Sequence, residues 1–151
     1  FQQVAGGLEL GRINIAARGA GMAKGATDMA LHYAMDRKTF GKAIAEHQAV
    51  QLKLAEMSTR AAAAELLVHQ AADKFDRHER CDLEAGQAKF FASEAAVQNS
   101  LDAMRVFGGY SYSPEYEIER FYRDAPLLCI GEGTNEIQRM IIAKQMVARA
   151  S

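Results

Sequence analysis

Glu132 lies between Gly131 and Gly133 in the stretch "GEGTNEIQR", directly ahead of a strongly helical tail. A carboxylate there can complement a helix dipole, stand as a solvated charge, or act as a base. The flanking glycines favour the last use, because they allow close backbone approach and uncommon dihedrals of the kind found at active sites. Leu127, Leu128, Ile130 and Met140 lie close by in sequence. Apolar surroundings favour the protonated form of a carboxyl, which suits a general base.

A second cluster is "DRKTFGKAIAEHQ", Asp36 to Gln48. Arg37, Thr39 and the amides at the start of the next helix form a phosphate-recognition set. Phe40 beside them could lie on an aromatic cofactor. Read alone, the loop serves equally well as a solvated basic connector. A third cluster, "RVFGGYSY", places Gly108 and Gly109 where a helix ends. Paired glycines there form a cap, and they also leave bare backbone open to a ligand. Tyr110, Tyr112 and Tyr116 read as packing residues. Metal chemistry is disfavoured: carboxylate-bridged bundles use Glu-x-x-His, whereas Glu65 and His69 are four apart and His78 and Glu79 are adjacent.

These residues need a scaffold, and the composition supplies a helical one. The 151 residues suffice for one domain with a core, and only Pro114 and Pro126 interrupt them. Runs rich in Ala, Leu, Met, Glu, Gln and Lys predict helices over about 8–35, 48–76 and 82–107. The first would bury Leu10, Ile13, Ala17, Ala20, Ala23, Ala30, Leu31 and Ala34. The second would bury Val50, Leu54, Met57, Ala61, Ala64, Val68 and Ala71. A short helix carries "EYEIERFYRD" until Pro126 interrupts. A last helix starts near Asn135 and would bury Ile137, Met140, Ile141 and Val147, with Asn135 and Gln138 forming a capping box. No alternating strand pattern competes. The expected fold is all-α, an antiparallel four-helix bundle with one or two short extra helices.

A net charge of −1 gives no nucleic-acid footprint and no polybasic membrane patch, and no apolar run is long enough to span a bilayer. Cys81 and Cys129 are far apart and read as free thiols in a reducing compartment. The chain begins at Phe1, mid-pattern, and reads as a fragment or as one domain of a longer protein.

Three segments, "DRKTFGKAIAEHQAVQLKLAEM", "RVFGGYSYSPEYEIERFYRDA" and "IGEGTNEIQRMIIAKQ", resemble in order and spacing the carboxy-terminal helical domain of the acyl-CoA dehydrogenases. The resemblance covers nearly the whole chain. It implies an FAD-dependent α,β-desaturation of acyl-CoA thioesters, with a carboxylate taking the α-proton and hydride passing to flavin N5. In the medium- and short-chain type the base falls on Glu132. Other members carry it on the first long helix, just before an Arg that matches Arg12; here that position is Gly11, so only one base position is filled. The family's FAD contacts fall on Arg37, Thr39, Phe40, His47, Gln48, Arg105, Val106, Phe107, Gly108, Gly109, Thr134 and Glu136, many reaching the cofactor of a neighbouring subunit. Arg12 and Gly133 fall at substrate-contacting positions, and Arg12 could instead orient Glu132.

The resemblance further implies a homo-oligomer, dimer or tetramer, an electron-transfer flavoprotein or similar acceptor, and a bacterial cytoplasmic or mitochondrial matrix location. The chain departs from the family at Arg105, often Gln, and at Ser111, where a glycine is usual. Two other readings keep the fold: an acyl-CoA oxidase or related desaturase, and an inactive scaffold subunit. The retained Glu132, Gly133 and Thr134 argue against the scaffold.

Overall fold

The computed structural model describes residues 2–150, with side chains from residue 9 onward. Five α-helices make up nearly all of it: α1 (Gln2–Asp36), α2 (Gln48–Asp76), α3 (Asp82–Phe107), α4 (Ile118–Ile130) and α5 (Asn135–Ala150). Short connections between the three long helices make neighbours antiparallel. The all-α bundle expected from the sequence is what forms. α3 is its axis, packing against each of the other four helices.

Small residues set the spacing. α1 buries Ile13, Ala16, Gly19, Ala23, Ala26, Ala30 and Ala34, at steps of three and four that trace one face. A β-carbon on Gly19 would stand 2.7 Å from the Ala92 carbonyl oxygen on α3, so these two helices meet backbone to backbone. Such closeness excludes leucine. Of the expected face Ile13, Ala23, Ala30 and Ala34 are buried, whereas Leu10 and Leu31 are 44% and 41% exposed and Ala17 is exposed; Ala16, Gly19 and Ala26 complete the seam. α2 meets the expectation better, burying Met57, Ala61, Ala64 and Ala71.

A polar cluster fixes the register of the three long helices. The fully buried Asn99 amide donates to the carbonyls of Ala23 on α1 (3.1 Å) and Met57 on α2 (2.9 Å), and its oxygen accepts from Arg60 Nε (2.7 Å). Arg60 also bonds the buried Asp102 carboxylate. A buried amide satisfied from two sides tolerates little sliding.

Three expectations fail locally. Pro126 does not interrupt; it lies inside α4. The carbonyl its missing N–H would have served, that of Tyr122, belongs to an exposed residue and can turn to water. The first loop contains a two-residue hairpin, β1 (Lys38–Thr39) and β2 (Lys42–Ala43), paired Lys38 to Ala43 and Thr39 to Lys42. Phe40 and Gly41 turn it with φ of 52° and 82°, both in the left-handed region that this tight turn requires. Finally, α5 leaves most of its expected core face outside, with Ile137, Met140 and Val147 exposed. It meets α3 along a narrow edge instead, where Ile142 lies over Gly86 and the buried residues are Asn135 and Gln138.

Candidate active site

Residues 131–134 join α4 to α5, and the packing holds both ends of this short loop. Lys89 on α3 is fully buried; its ammonium donates to the Cys129 carbonyl (3.0 Å) and to Asn135 Oδ1 (2.8 Å). Burial pushes the Lys89 pKa below its ordinary value. The Asn135 amide donates to Ser93 Oγ (3.0 Å) and Glu94 Oε1 (2.8 Å), both on α3. Asn135 is therefore an anchor rather than the cap its type suggested. Thr134 does the capping, its hydroxyl accepting from the Ile137 N–H at 3.5 Å. Gln138, the expected partner in the capping box, reaches back to the Glu132 and Gly133 carbonyls, at 3.2 Å each.

Between these anchors Glu132 has φ 54°, a left-handed conformation uncommon for a residue with a β-carbon, and Gly133 follows at φ 87°. The turn aims the Glu132 carboxylate at α1. A β-carbon built on Gly11 would lie 2.6 Å from Glu132 Oε2 and 3.0 Å from its Cδ. The position left vacant by Gly11 is thus occupied by the carboxylate from the other end of the chain. Among the described residues no group pairs with that carboxylate and no backbone acceptor takes the Glu132 N–H. Arg12 does not pair with it: Nη1 lies 4.0 Å from Asp82 Oδ1, and Nε is buried without a partner. Glu9, one turn away, holds its proton more tightly than usual through burial and the neighbouring Asp82 carboxylate.

The apolar surround expected for Glu132 is only partly built. Leu128 is buried, but Glu132 is exposed, and Leu127, Ile130 and Met140 are 67%, 63% and 69% exposed. Glu136 points outward at the start of α5, its carboxyl held below the usual range by its own N–H and by the Thr134 hydroxyl.

The other candidate residues gather at the far end of the bundle. A groove of about 500 Å³ runs between Tyr33, Arg37, Thr39 and Ile44 on one side and Val106, Phe107 and the Gly108–Tyr110 turn on the other. Tyr33 and Phe107 stack at 4.1 Å, and Arg37 lies 5.6 Å from the Tyr110 ring centre. Gly108, at φ 63° and ψ −138°, ends α3 in a conformation open essentially to glycine alone. Nothing lies within 4 Å of where a side chain would start on Gly108 or Gly109, so bare backbone faces the groove. Ser111, in place of the usual glycine, fits because its hydroxyl donates to the Gly108 carbonyl at 2.7 Å. Thr39 Oγ1 meets His47 Nε2 at 2.9 Å, and Phe40 stands 97% exposed at the hairpin tip. Gln48 opens α2. Arg105 turns to the Asp102 carboxylate at 3.0 Å. Tyr116 packs against Phe107 and Tyr33 as expected, whereas Tyr112 is 89% exposed.

The structure therefore divides the expected site. Arg37, Thr39, Val106, Phe107, Gly108 and Gly109 share the groove, while Thr134, Glu136, Gly133 and Arg12 belong to the Glu132 end. From Gly11 to Tyr33 is 22 residues of α1, about 33 Å at 1.5 Å per residue. Aromatic walls, an arginine with no acid partner among the described residues and bare glycine backbone fit a group that carries phosphate and a flat ring system. Lys89, Ser93 and Tyr33 escaped the sequence reading, and Gln138 entered it only as half of a capping box. Lys89 alone left a trace, as a lone cation inside the alanine-rich face of α3.

The helical bundle bends a carboxylate loop back onto its first helix and opens an aromatic, glycine-floored groove at its other end. Residues 1–147 match the acyl-CoA dehydrogenase C-terminal domain model, and the chain belongs to that family. It is 50% identical over 140 residues to an acyl-CoA dehydrogenase of Bacillus subtilis, and 49% identical over 140 residues to a 3-(aryl)acrylate reductase of Clostridium sporogenes. Each match covers 93% of this chain and 37% of the relative. The butyryl-CoA dehydrogenase of Megasphaera elsdenii superposes with a TM-score of 0.91 at 38% identity, over 93% of this chain and 37% of that one. The chain thus spans less than two-fifths of the proteins it matches.

Proposed function

We propose that this chain is the C-terminal domain of an FAD-dependent enzyme that desaturates acyl-CoA thioesters between the α and β carbons, with Glu132 as the base. Glu132 takes the α-proton. Its own N–H donates to the thioester carbonyl oxygen, where negative charge develops as the proton leaves. FAD, when held by the domain, would supply the acceptor for the β-hydrogen as hydride. Gly133 lets the substrate approach the backbone, and Arg12 lines the acyl-CoA path. Arg37, Thr39, Phe40, His47, Gln48 and the Arg105–Gly109 turn would hold one FAD at one end of the bundle, and Thr134 and Glu136 would contact a second FAD at the other.

The observation that carries this reading is the Glu132 carboxylate seated at Gly11 by a left-handed backbone turn. Strain of this sort persists where a side chain must point somewhere particular. The 33 Å between the two ends supports two further points. One FAD does not reach both, so the bundle serves two cofactors in a homo-oligomer, and the exposed apolar residues of α5 suit a contact between copies. An electron-transfer flavoprotein is the proposed electron partner.

A second reading concerns direction. The Clostridium sporogenes relative is described as a reductase. The same residues run the reaction backward, with Glu132 returning a proton to the α carbon. The test is Glu132→Gln in the flavin-loaded full-length protein, assayed with a panel of acyl-CoA thioesters by flavin bleaching. Flavin content should stay at the parent level while bleaching falls by at least a thousandfold. Bleaching at near-parental rates would remove Glu132 from the chemistry.

A further inference from the structure

Gln138 is one of the largest fully buried side chains in the molecule, yet it sits in the first turn of α5, four residues past the base loop. Its Nε2 donates to both the Glu132 and Gly133 carbonyls, at 3.2 Å each. Two carbonyls on one side of the amide settle which atom faces them, because an oxygen there would be repelled. The other end, Oε1, is buried and has no partner. Space for it comes from α3, where a β-carbon on Gly86 would stand 3.6 Å away. A β-carbon on Gly133 would lie 2.9 Å from Nε2, so glycine at 133 both allows φ 87° and leaves room for the amide. Leaving a buried acceptor unpaired is unfavourable. The sequence tolerates it for the sake of the two bonds at the other end.

Those bonds fix the two peptide planes that follow Glu132. With both planes set, Gly133 between them is held at φ 87°, and the plane that carries the Glu132 carbonyl is held against the α-carbon from which the carboxylate reaches Gly11. Lys89 and Asn135 hold the ends of the loop, but among the described residues only Gln138 bonds the carbonyl of Glu132 itself.

We propose that Gln138 is a positioning residue for the reaction: a buried amide that holds the Glu132 backbone in its left-handed turn and so keeps the carboxylate aimed at the substrate α carbon. This rests on Glu132 being the base. Gln138 touches neither substrate nor cofactor, so its loss should lower the rate of proton removal without weakening binding.

The test uses the flavin-loaded full-length protein and whichever of butyryl-, isovaleryl- and octanoyl-CoA bleaches the parent flavin fastest. Gln138→Met keeps the volume and removes the donor; kcat should fall 10- to 100-fold, with KM and flavin content within twofold of the parent. Gly133→Ala displaces the same amide from the other side, and the double variant should be no slower than the slower single one. Gln138→Glu donates only when protonated, so it should recover rate toward low pH and show a descending limb at high pH that the parent lacks. Parental kcat in Gln138→Met, or a loss matched by loss of flavin or a rise in KM, would overturn the proposal. If Gln138→Met does not fold, the pH profile of Gln138→Glu decides: a parental profile would overturn the proposal. Glu132→Gln separates the two claims: an inactive Glu132→Gln with a fully active Gln138→Met refutes the positioning role alone, and an active Glu132→Gln refutes the base.

Discussion

At Glu132 the backbone bears a strained dihedral so that the side chain can reach another helix. The glycines on either side made this residue stand out in the sequence, because they are the usual mark of unusual φ. What the sequence could not show was the destination. Gly11 is 121 positions away, and only the family resemblance linked the two positions; the structure gives the physical reason, which is that the carboxylate needs the space. Gln138 was misread for a related cause. An Asn followed three residues later by Gln fits a local capping pattern, and nothing local reveals that both side chains turn inward to other partners. The steric relation makes a direct prediction. Gly11→Ala should displace the Glu132 carboxylate and lower kcat at least tenfold while flavin content holds, read by steady-state kinetics on the flavin-loaded enzyme. An unchanged kcat would show that the packing against Gly11 is irrelevant to the chemistry.

α2, α3 and the start of α5 were legible to the residue, because helix-forming runs separated by Gly, Pro and charged breaks leave little choice, whereas α1 begins six residues earlier than expected and α4 runs past Pro126 to Ile130. Which face each one buries was less legible. On α1 the leucines pointed to one seam and the structure uses the alanines beside it, since helices that touch backbone to backbone reject large side chains. Pro126 was taken as a stop and proves to be tolerated at an exposed turn of α4. Polar ties between helices were invisible in the periodicity.

One such tie should govern acid stability. Glu84, buried at the start of α3, accepts from Arg149 at the end of α5 (2.7 and 3.0 Å) and from Lys74 at the end of α2 (2.6 Å). The Arg149 guanidinium, with Lys74 helping, holds its carboxyl down to about 2 against the opposing effect of burial. The folded-state value lies below the unfolded one, so this stabilisation is complete above the ordinary carboxylate range and is lost as pH falls toward 2. Glu84→Gln should therefore cost on the order of 2 kcal/mol at pH 7, allowing for solvent screening at the partly exposed Arg149, and almost nothing at pH 2. Denaturant unfolding of parent and variant across pH 2–7 checks this; a difference that did not shrink with acid would contradict it.

For the molecule as a whole, the two halves of the site face outward from opposite ends of one bundle. The aromatic groove is open on one side, and Glu132 is exposed with apolar neighbours that none of the described residues covers. Such an arrangement needs other surfaces to exclude water and complete the pocket. These 151 residues by themselves should therefore hold FAD weakly or not at all and should not bleach it with any acyl-CoA. Stoichiometric flavin in the purified 151-residue protein would overturn this expectation. The division of the site could not be read from the sequence, because the positions the family resemblance assigned to FAD carry no information about their separation along a helix. The outward apolar face of α5 was misread as core for the same reason: periodicity marks a face as apolar without saying whether it packs within one chain or between chains.

The proposed removal of the α-proton by Glu132 is tested by isolating that step from hydride transfer. Exchange of the α-hydrogen of a bound acyl-CoA with deuterated solvent should be followed by mass spectrometry in the flavin-loaded full-length protein and its Glu132→Gln variant. Exchange should be measurable in the parent and absent above background in the variant, with equal flavin content in both. Exchange at the parental rate in Glu132→Gln would contradict it.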